Sequence, residues 1–309
     1  MSYVLVLGAS GFIAHHLIKR LLADGNNVIG YSRHATEQFS ECGNYVQIKG
    51  DFASEVDFEF FFQKYPISCI YHGISTTVPL EGTEHIVREG QENIIPTLRL
   101  LESASHHKGM KLIFMSSGGT VYGENRGRPS KIGDEDTPIC TYGIQKRTIE
   151  AYIEYYTRCT GLQGIIARLS NPYGVINTKG RAQGIIPIFL NNLRNGRGIV
   201  LFGDTVRDYI YIDDAIDALV MLKDYQGSKH IFNIGSSEGV RLSDLVALLE
   251  QATGKQFVSV DKKPIRSCDV HVNVLDIEDT IRTLGWAPRI PLKTGIDLVW
   301  KAIKCENKD

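Results

Sequence analysis

Two short segments of the chain carry residue types whose spacing suits chemistry. Tyr142-Gly143-Ile144-Gln145-Lys146 sets a phenol and an ammonium one helical turn apart, on one face of a helix. A phenol with a pKa near ~10 is a poor base at neutral pH, but a nearby cation stabilises its phenolate. Lys146, together with the positive ring of an oxidised nicotinamide, is therefore expected to lower the pKa of Tyr142, so that the phenol can exchange a proton with an alcohol or ketone oxygen. Such a pair suits hydride chemistry at the carbon bearing that oxygen. The second segment, Gly8-Ala9-Ser10-Gly11-Phe12-Ile13-Ala14, closes the first apolar run. Gly8 allows a tight turn and Gly11 lets backbone approach an anion closely. Ser10, Phe12 and Ile13 bring amides to a helix start, where the dipole favours negative charge. The spacing is GxxGxxA, and Ala14 is small enough for the helix to pack on the strand. These are the elements of a cradle for a dinucleotide pyrophosphate.

The end of the second apolar run bears on which dinucleotide. NAD sites usually place a carboxylate there, accepting hydrogen bonds from the ribose 2′-hydroxyl. Here Val28-Ile29-Gly30-Tyr31 runs into Ser32-Arg33-His34. A hydroxyl and a guanidinium can bind a 2′-phosphate that a carboxylate would repel. The expected cofactor is NADP(H), with NAD(H) as the alternative. After the third run, Asp51 and Phe52 are placed to hold the adenine edge, or to make a plain turn.

Positioning these segments requires a particular order of elements. In the first half, residues 3–7, 27–31, 45–49, 69–72, 111–115 and 163–167 read as strands, and stretches starting near Gly11, Ser54, Glu84 and Thr141 read as helices. Strands apolar on both faces and separated by helices imply a parallel sheet covered on both sides. From about Asn171 prolines punctuate shorter elements. The expected organisation is a dinucleotide-binding domain over 1–170 that carries Tyr142 and Lys146. Residues 171–309 form mainly a substrate lobe, with some segments returning to the first domain. The 309 residues are 43% apolar and 22% charged, with a formal net charge of −1. Such a balance gives no footprint for nucleic acid and no polybasic membrane contact. No apolar run reaches the ~18 residues that span a bilayer. Met1-Ser2-Tyr3-Val4 enters a strand at once, leaving no room for a signal peptide, so the cytoplasm is the expected location. Six scattered cysteines are expected as free thiols, and neither they nor the histidines show metal-ligand spacing.

With these motifs together, the chain resembles an extended short-chain dehydrogenase/reductase of the nucleotide-sugar epimerase/dehydratase/reductase type, over nearly its whole length. The resemblance rests on the glycine segment, Gly50-Asp51, Ser116-Ser117-Gly118-Gly119-Thr120-Val121-Tyr122-Gly123, Tyr142 to Lys146, Arg168-Leu169-Ser170-Asn171-Pro172-Tyr173-Gly174, Arg207-Asp208-Tyr209-Ile210-Tyr211-Ile212-Asp213-Asp214 and Leu284-Gly285-Trp286-Ala287-Pro288. It implies a Rossmann-type doubly wound α/β sheet with a smaller C-terminal substrate-binding lobe. It also implies that Lys146 holds the nicotinamide ribose, that Arg207 and Arg266 bind a substrate diphosphate, and that Asp269 faces a ribose. Asn171 matches a phosphate-contacting amide, and Phe202 sits where a ring would stack on a nucleotide base. Ser75, Thr76 and Thr77 could face the sugar or cap a loop, and Asn93 matches an active-site asparagine or fixes the backbone. A homodimer through residues 84–106 and 141–159 is an expectation of the resemblance alone.

One position departs from the family. Its hydroxyl residue that bonds the reacting oxygen lies five residues before the glycine of Val-Tyr-Gly, which here is Gly118. Ser117 and Thr120 are equal candidates to supply that hydroxyl. The family's dehydratases carry an acidic pair where this chain has Gly119 and Thr120; elimination of water needs those groups, so a dehydratase is not expected. The leading expectation is NADPH-dependent reduction of a nucleotide-linked 4-ketohexose, a 6-deoxy sugar by expectation, to its 4-hydroxy form. The alternative is a nucleotide-sugar 4-epimerase with retained NAD. A further alternative is a dinucleotide-sensing binding protein without turnover, for which Gly118 is the only support.

Overall fold

The first strand, β1 (Tyr3–Leu7), is buried along Val4 to Leu7 and sends alternate side chains into two separate cores. Val4 and Val6 pack with Leu17, Leu219 and Phe232 on one face; Leu5 and Leu7 pack with Leu100, Leu112 and Ile149 on the other. An apolar strand without polar alternation is stable only when both faces are covered, and here helices cover both. The protein is seen in a computed structural model that describes residues 2–34, 37–54, 56–77, 84–175 and 184–305.

After β1 come α1 (Phe12–Ala23), β2 (Asn27–Ser32), β3 (Tyr45–Lys49), α2 (Phe58–Lys64), β4 (Ile67–His72), α3 (Ile86–Glu89), α4 (Ile95–Ser105), β5 (Lys111–Ser117), α5 (Gly118–Val121), α6 (Thr141–Cys159) and β6 (Gln163–Leu169). A π-helical turn, Gly90–Ile94, joins α3 to α4. The second half holds β7 (Asn171–Tyr173), α7 (Ile185–Arg194), β8 (Ile199–Phe202), β9 (Val206–Tyr211), α8 (Ile212–Asp224), β10 (Ile231–Ile234), β11 (Gly239–Arg241), α9 (Leu242–Thr253), β12 (Val260–Lys263), β13 (Val272–Asn273), α10 (Glu278–Leu284) and α11 (Leu292–Cys305).

Seven strands pair in the order β10-β6-β5-β4-β1-β2-β3, all parallel. This is a Rossmann-type doubly wound sheet. The strand order reverses beside β1, so a crevice opens beyond the carboxyl ends of β1 and β4, the place where such sheets bind ligands. The seventh strand, β10, comes from the second half and returns beside β6. The remaining second-half strands make two small sheets: β9 pairs with β7, β11 and β13, and β8 pairs with β12. Among the described residues no helix is long and apolar enough to cross a membrane.

The helix expected near Ser54 starts later, at Phe58. Asp57 caps it, its carboxylate accepting the Phe60 N–H at 2.9 Å; an N-cap carboxylate satisfies an amide that has no partner within the helix. β5 runs on to Ser117, beyond the apolar run that predicts it, because Ser116 and Ser117 stay paired with Arg168 and Leu169 of β6.

His72 ends β4 fully buried between Phe52 and Phe114, with its Nε2 at 2.8 Å from the Thr97 hydroxyl. Burial, assisted by the nearby charge of Lys146, pushes its pKa down to about 3. His15, buried on α1, is pushed down to about 4 for the same first reason. A histidine kept neutral in the fold but protonated near ~6.5 when unfolded stabilises the fold above pH ~6.5 and progressively less below it. Between pH ~6.5 and ~5 the wild-type protein should therefore lose about 2 kcal/mol through His72 alone. Denaturant unfolding of His72→Leu over that window should show a correspondingly shallower pH slope; an unchanged slope contradicts the account.

Candidate active site

Three consecutive residues at the end of β5 grip three positions one turn apart on α6. The Lys146 ammonium donates to the Met115 carbonyl at 2.9 Å, Ser116 donates its hydroxyl to Glu150, and Ser117 sits beside the Tyr142 phenol, near enough to oppose the rise in its pKa. Lys146 is buried, its ammonium 4.6 Å from the Phe114 ring centre and 5.6 Å from that of Tyr142. The spacing of residues 142, 146 and 150 explains why one helix face meets one strand end.

Burial sets the electrostatics of this cluster. It lowers Lys146 to about 8, against the opposing pull of Glu150. It pushes Tyr142 up to about 12, with the Cys140 thiol adding to the rise and Ser117 opposing it. In the protein alone Lys146 therefore does not bring the phenol down. The ammonium is turned to the Met115 carbonyl, and removal from water disfavours both charged forms. A phenol so placed keeps its proton at neutral pH.

Ser117 and Thr120 end up in different surroundings. Ser117 contacts Tyr142, whereas the Thr120 hydroxyl is enclosed without a hydrogen-bond partner. At Gly118 a Cβ would stand 2.5 Å from Leu275 Cδ1, and Leu275 is 0% exposed, so the position is closed to a side chain. Asn273, fully buried on β13, donates to the Gly118 carbonyl at 3.0 Å. Asn273 and Leu275 thereby hold the junction of β5 and α5 from the far end of the chain, with no local signal near residue 118 to announce them. On the opposite side Asn93 brackets Thr76, accepting its N–H and donating to its hydroxyl, both at 2.9 Å. Asn93 therefore fixes backbone here. It sits in the π-helical turn and also donates to Gln145 at 3.3 Å.

A cavity of about 250 Å³ lies at the sheet's switch point. Gly8, Ser10, Gly11, Ser32, Arg33, Asp51 and Phe52 all line it, together with Tyr31, Ser75, Thr76 and Glu92. Gly8 has φ +87°, and a Cβ there would press on the Gly73 backbone at 3.2 Å, so the turn requires glycine. Phe12 and Ile13 are absent from the lining. They open α1, which has no side-chain cap, and only backbone amides at such a start face an anion. An uncapped helix start beneath a glycine turn fits a dinucleotide pyrophosphate. Ser32 is buried and donates its hydroxyl to the His34 carbonyl at 2.5 Å. Arg33 is exposed at the rim; Glu92, a lining carboxylate not anticipated from sequence, pairs with Arg88 at 2.6 Å and feels the Arg33 charge more weakly.

A second cavity of about 210 Å³ brings together Asn171, Phe202, Arg207, Arg266 and Asp269, residues spread over almost a hundred positions. Arg266 pairs with Asp269 at 2.6 Å and lies 5.2 Å from the Phe202 ring centre, while Lys263 approaches the same ring at 5.8 Å. Burial lowers the pKa of Arg207, a cost that an anionic partner would offset. The Asn171 amide donates to the Asp208 carbonyl at 2.8 Å, leaving its oxygen for other contacts.

Comparison with known proteins agrees with this geometry. A family model described as "NAD dependent epimerase/dehydratase family" matches residues 4–235. The chain is 30% identical to dTDP-4-dehydro-6-deoxyglucose reductase of Escherichia coli, with 98% of each chain covered. It is 28% identical to a putative UDP-glucose 4-epimerase of Methanocaldococcus jannaschii, with 99% of each covered. Among solved structures, UDP-glucose 4-epimerase of Thermotoga maritima with UDP-glucose superposes with a TM-score of 0.90 at 29% identity, covering 98% of this chain and 99% of that one. UDP-glucose 4-epimerase of Thermus thermophilus in complex with NAD gives 0.87 at 25% identity, covering 98% and 99%.

The closed position at Gly118 can be checked directly. Gly118→Ser should lower unfolding stability by about 1–3 kcal/mol through overpacking. In a double-mutant cycle with Leu275→Val, the pair should recover about 1 kcal/mol relative to additivity. An additive cycle contradicts the clash.

Proposed function

Because this chain belongs to the NAD dependent epimerase/dehydratase family, we propose that it reduces a nucleotide-linked 4-keto, 6-deoxy hexose to the 4-hydroxy sugar with NADPH. The observation that carries the cofactor choice, and with it the direction, is the end of β2, where Ser32 and Arg33 line the crevice in place of an acidic residue. Cells keep NADP largely reduced, so a site that takes it from solution favours net reduction. The name of the Escherichia coli relative supports the same reaction.

In this reading the amides of Phe12 and Ile13 hold the pyrophosphate, Asp51 and Phe52 flank the adenine, and Lys146 holds the nicotinamide ribose. Arg33 meets the 2′-phosphate, with the Ser32 hydroxyl turning from the His34 carbonyl to join it. When bound, the nicotinamide supplies the hydride that C4 receives. Tyr142, protonated at neutral pH, gives its proton to the C4 oxygen, while Ser117 hydrogen-bonds at the same place. The Lys146 ammonium then stabilises the phenolate left behind, and solvent returns the proton. Arg207 and Arg266 grip the substrate diphosphate in forked contacts, and Phe202 offers its ring to the base. The exposed apolar side chains of Ile144, Tyr152 and Tyr155 along α6 support a homodimer through that helix.

A second reading, a 4-epimerase that retains NAD, is favoured by one specific feature. Glu92, held by Arg88 at 2.6 Å, lines the same crevice and sets a carboxylate near Arg33, which opposes a 2′-phosphate there.

The readings separate in one assay series. The purified protein is analysed for retained cofactor, and NADPH oxidation is followed across nucleotide 4-ketosugars. Reduction predicts stoichiometric NADPH consumption, tighter binding of NADPH than NADH, and a loss of at least ~100-fold in kcat for Tyr142→Phe. Retained NAD with no net consumption and interconversion of 4-hydroxy sugars contradicts it in favour of the epimerase.

A further inference from the structure

Behind the Tyr142–Lys146 pair lies a group of buried charges that the reaction as described does not use. Glu150, 0% exposed, stands one turn beyond Lys146 on the same helix. Arg168 on β6, 2% exposed, grips it with two contacts, Nε at 3.1 Å and a terminal nitrogen at 2.6 Å. The same guanidinium turns its other edge to Asp136, with contacts at 2.8 and 2.9 Å, and lies over the Tyr122 ring at 4.5 Å. Arg147 completes the chain on Asp136 at 2.7 Å. Ser116 donates to Glu150 from β5, next to Ser117, which sits beside Tyr142.

Packing alone does not call for these groups. Buried ion pairs replaced by apolar residues of similar volume often leave stability unchanged or improved. What a carboxylate at position 150 supplies, and an apolar side chain does not, is a negative charge beside the buried Lys146. We propose that Glu150 is a positioning residue for the reaction: its carboxylate, fixed by Arg168 and Ser116 one helical turn from the buried Lys146, keeps that ammonium charged where the Met115 carbonyl holds it.

The charged and titratable groups around the pair are few. Facing Lys146 are Tyr142 and Glu150 from α6, the Met115 carbonyl and Phe114 ring from β5, and His72 from β4. Burial holds His72 neutral at neutral pH, so it adds no charge there. Facing Glu150 are Arg168 and Ser116, with Asp136, Arg147 and Tyr122 beyond the guanidinium. Glu150 raises the pKa of Lys146 against the effect of burial. Burial in turn raises that of Glu150, opposed by Arg168 and Ser116. Arg168 and Ser116 thus act on Lys146 through Glu150.

The inference rests on the proposed role of Lys146, but its readout needs neither substrate nor turnover, so it and the reductase reading fail separately. The protein is labelled with [13Cε]lysine and titrated without ligand by NMR, the Lys146 resonance being assigned from its absence in Lys146→Arg. Glu150→Gln should move the Lys146 midpoint down by about one pH unit or more. The high-pH limb of kcat/KM should move down with it, so that activity survives better at pH ~6 than at pH ~8. Glu150→Asp, which keeps the charge but draws it back, should shift the midpoint less. An unchanged midpoint in folded Glu150→Gln overturns the proposal, whatever the activity. If Glu150→Gln does not fold, an unchanged midpoint in a less active, folded Glu150→Asp overturns it as well.

Discussion

The end of β5 holds α6 at Met115, Ser116 and Ser117, and each contact falls on a residue with a chemical role or a partner of one. Lys146 is tied to a backbone carbonyl and Glu150 to one hydroxyl, while Tyr142 lies beside the next. A strand end advances about 3.3 Å per residue and a helix face about 5.4 Å per turn. Residues 115, 116 and 117 meet helix positions 146, 150 and 142 in that order, so the strand end faces the middle of this helix face and reaches the turns on either side of it. That contact is buried in the core, with Ile149 and Ile153 packing beside Phe114 and Ile166. The geometry of the pair is thus a property of how α6 packs on the sheet, rather than of a mobile loop.

Burial is the price of this rigidity, and it works against both members of the pair. It holds the phenol up at about 12 and draws the ammonium down to about 8. The site is therefore poised by opposing effects, with desolvation on one side and hydrogen bonds and fixed charges on the other. Arg207 shows the same opposition in the second cavity, where burial lowers it while the nearby Asp269 carboxylate raises it. Sites of this kind become electrostatically settled only when a charged ligand enters.

Much of this was legible in the sequence because it depends on local pattern. Unbroken apolar runs such as Tyr3–Leu7 signal strands covered on both faces, and the tight turn at Gly8 is readable because only glycine tolerates that backbone. Asn171, Phe202, Arg207, Arg266 and Asp269 converge through long-range topology, so spacing could not join them; resemblance to a family did. The start of α2 was missed because Asp57, its cap, stands apart from any strong periodicity. Gly118 marks the limit of local reading. Its lack of a side chain looks like a lost hydroxyl until Leu275, distant in the chain, is seen filling the space. Glu150 escaped because a charged residue on a helix ordinarily reads as solvent-facing, and only the arrival of Arg168 from β6 makes its burial tolerable.

The central claim is that this buried pair serves hydride transfer at the 4-position of a nucleotide-linked sugar. The most direct test is to supply NADPH deuterated at the transferring position with a nucleotide 4-ketosugar and to examine C4 of the product by NMR and mass. The account predicts one deuterium at C4, on a single face, and none when Tyr142→Phe replaces the wild type. Product formed without deuterium at C4, or deuterium delivered equally by Tyr142→Phe, would contradict it.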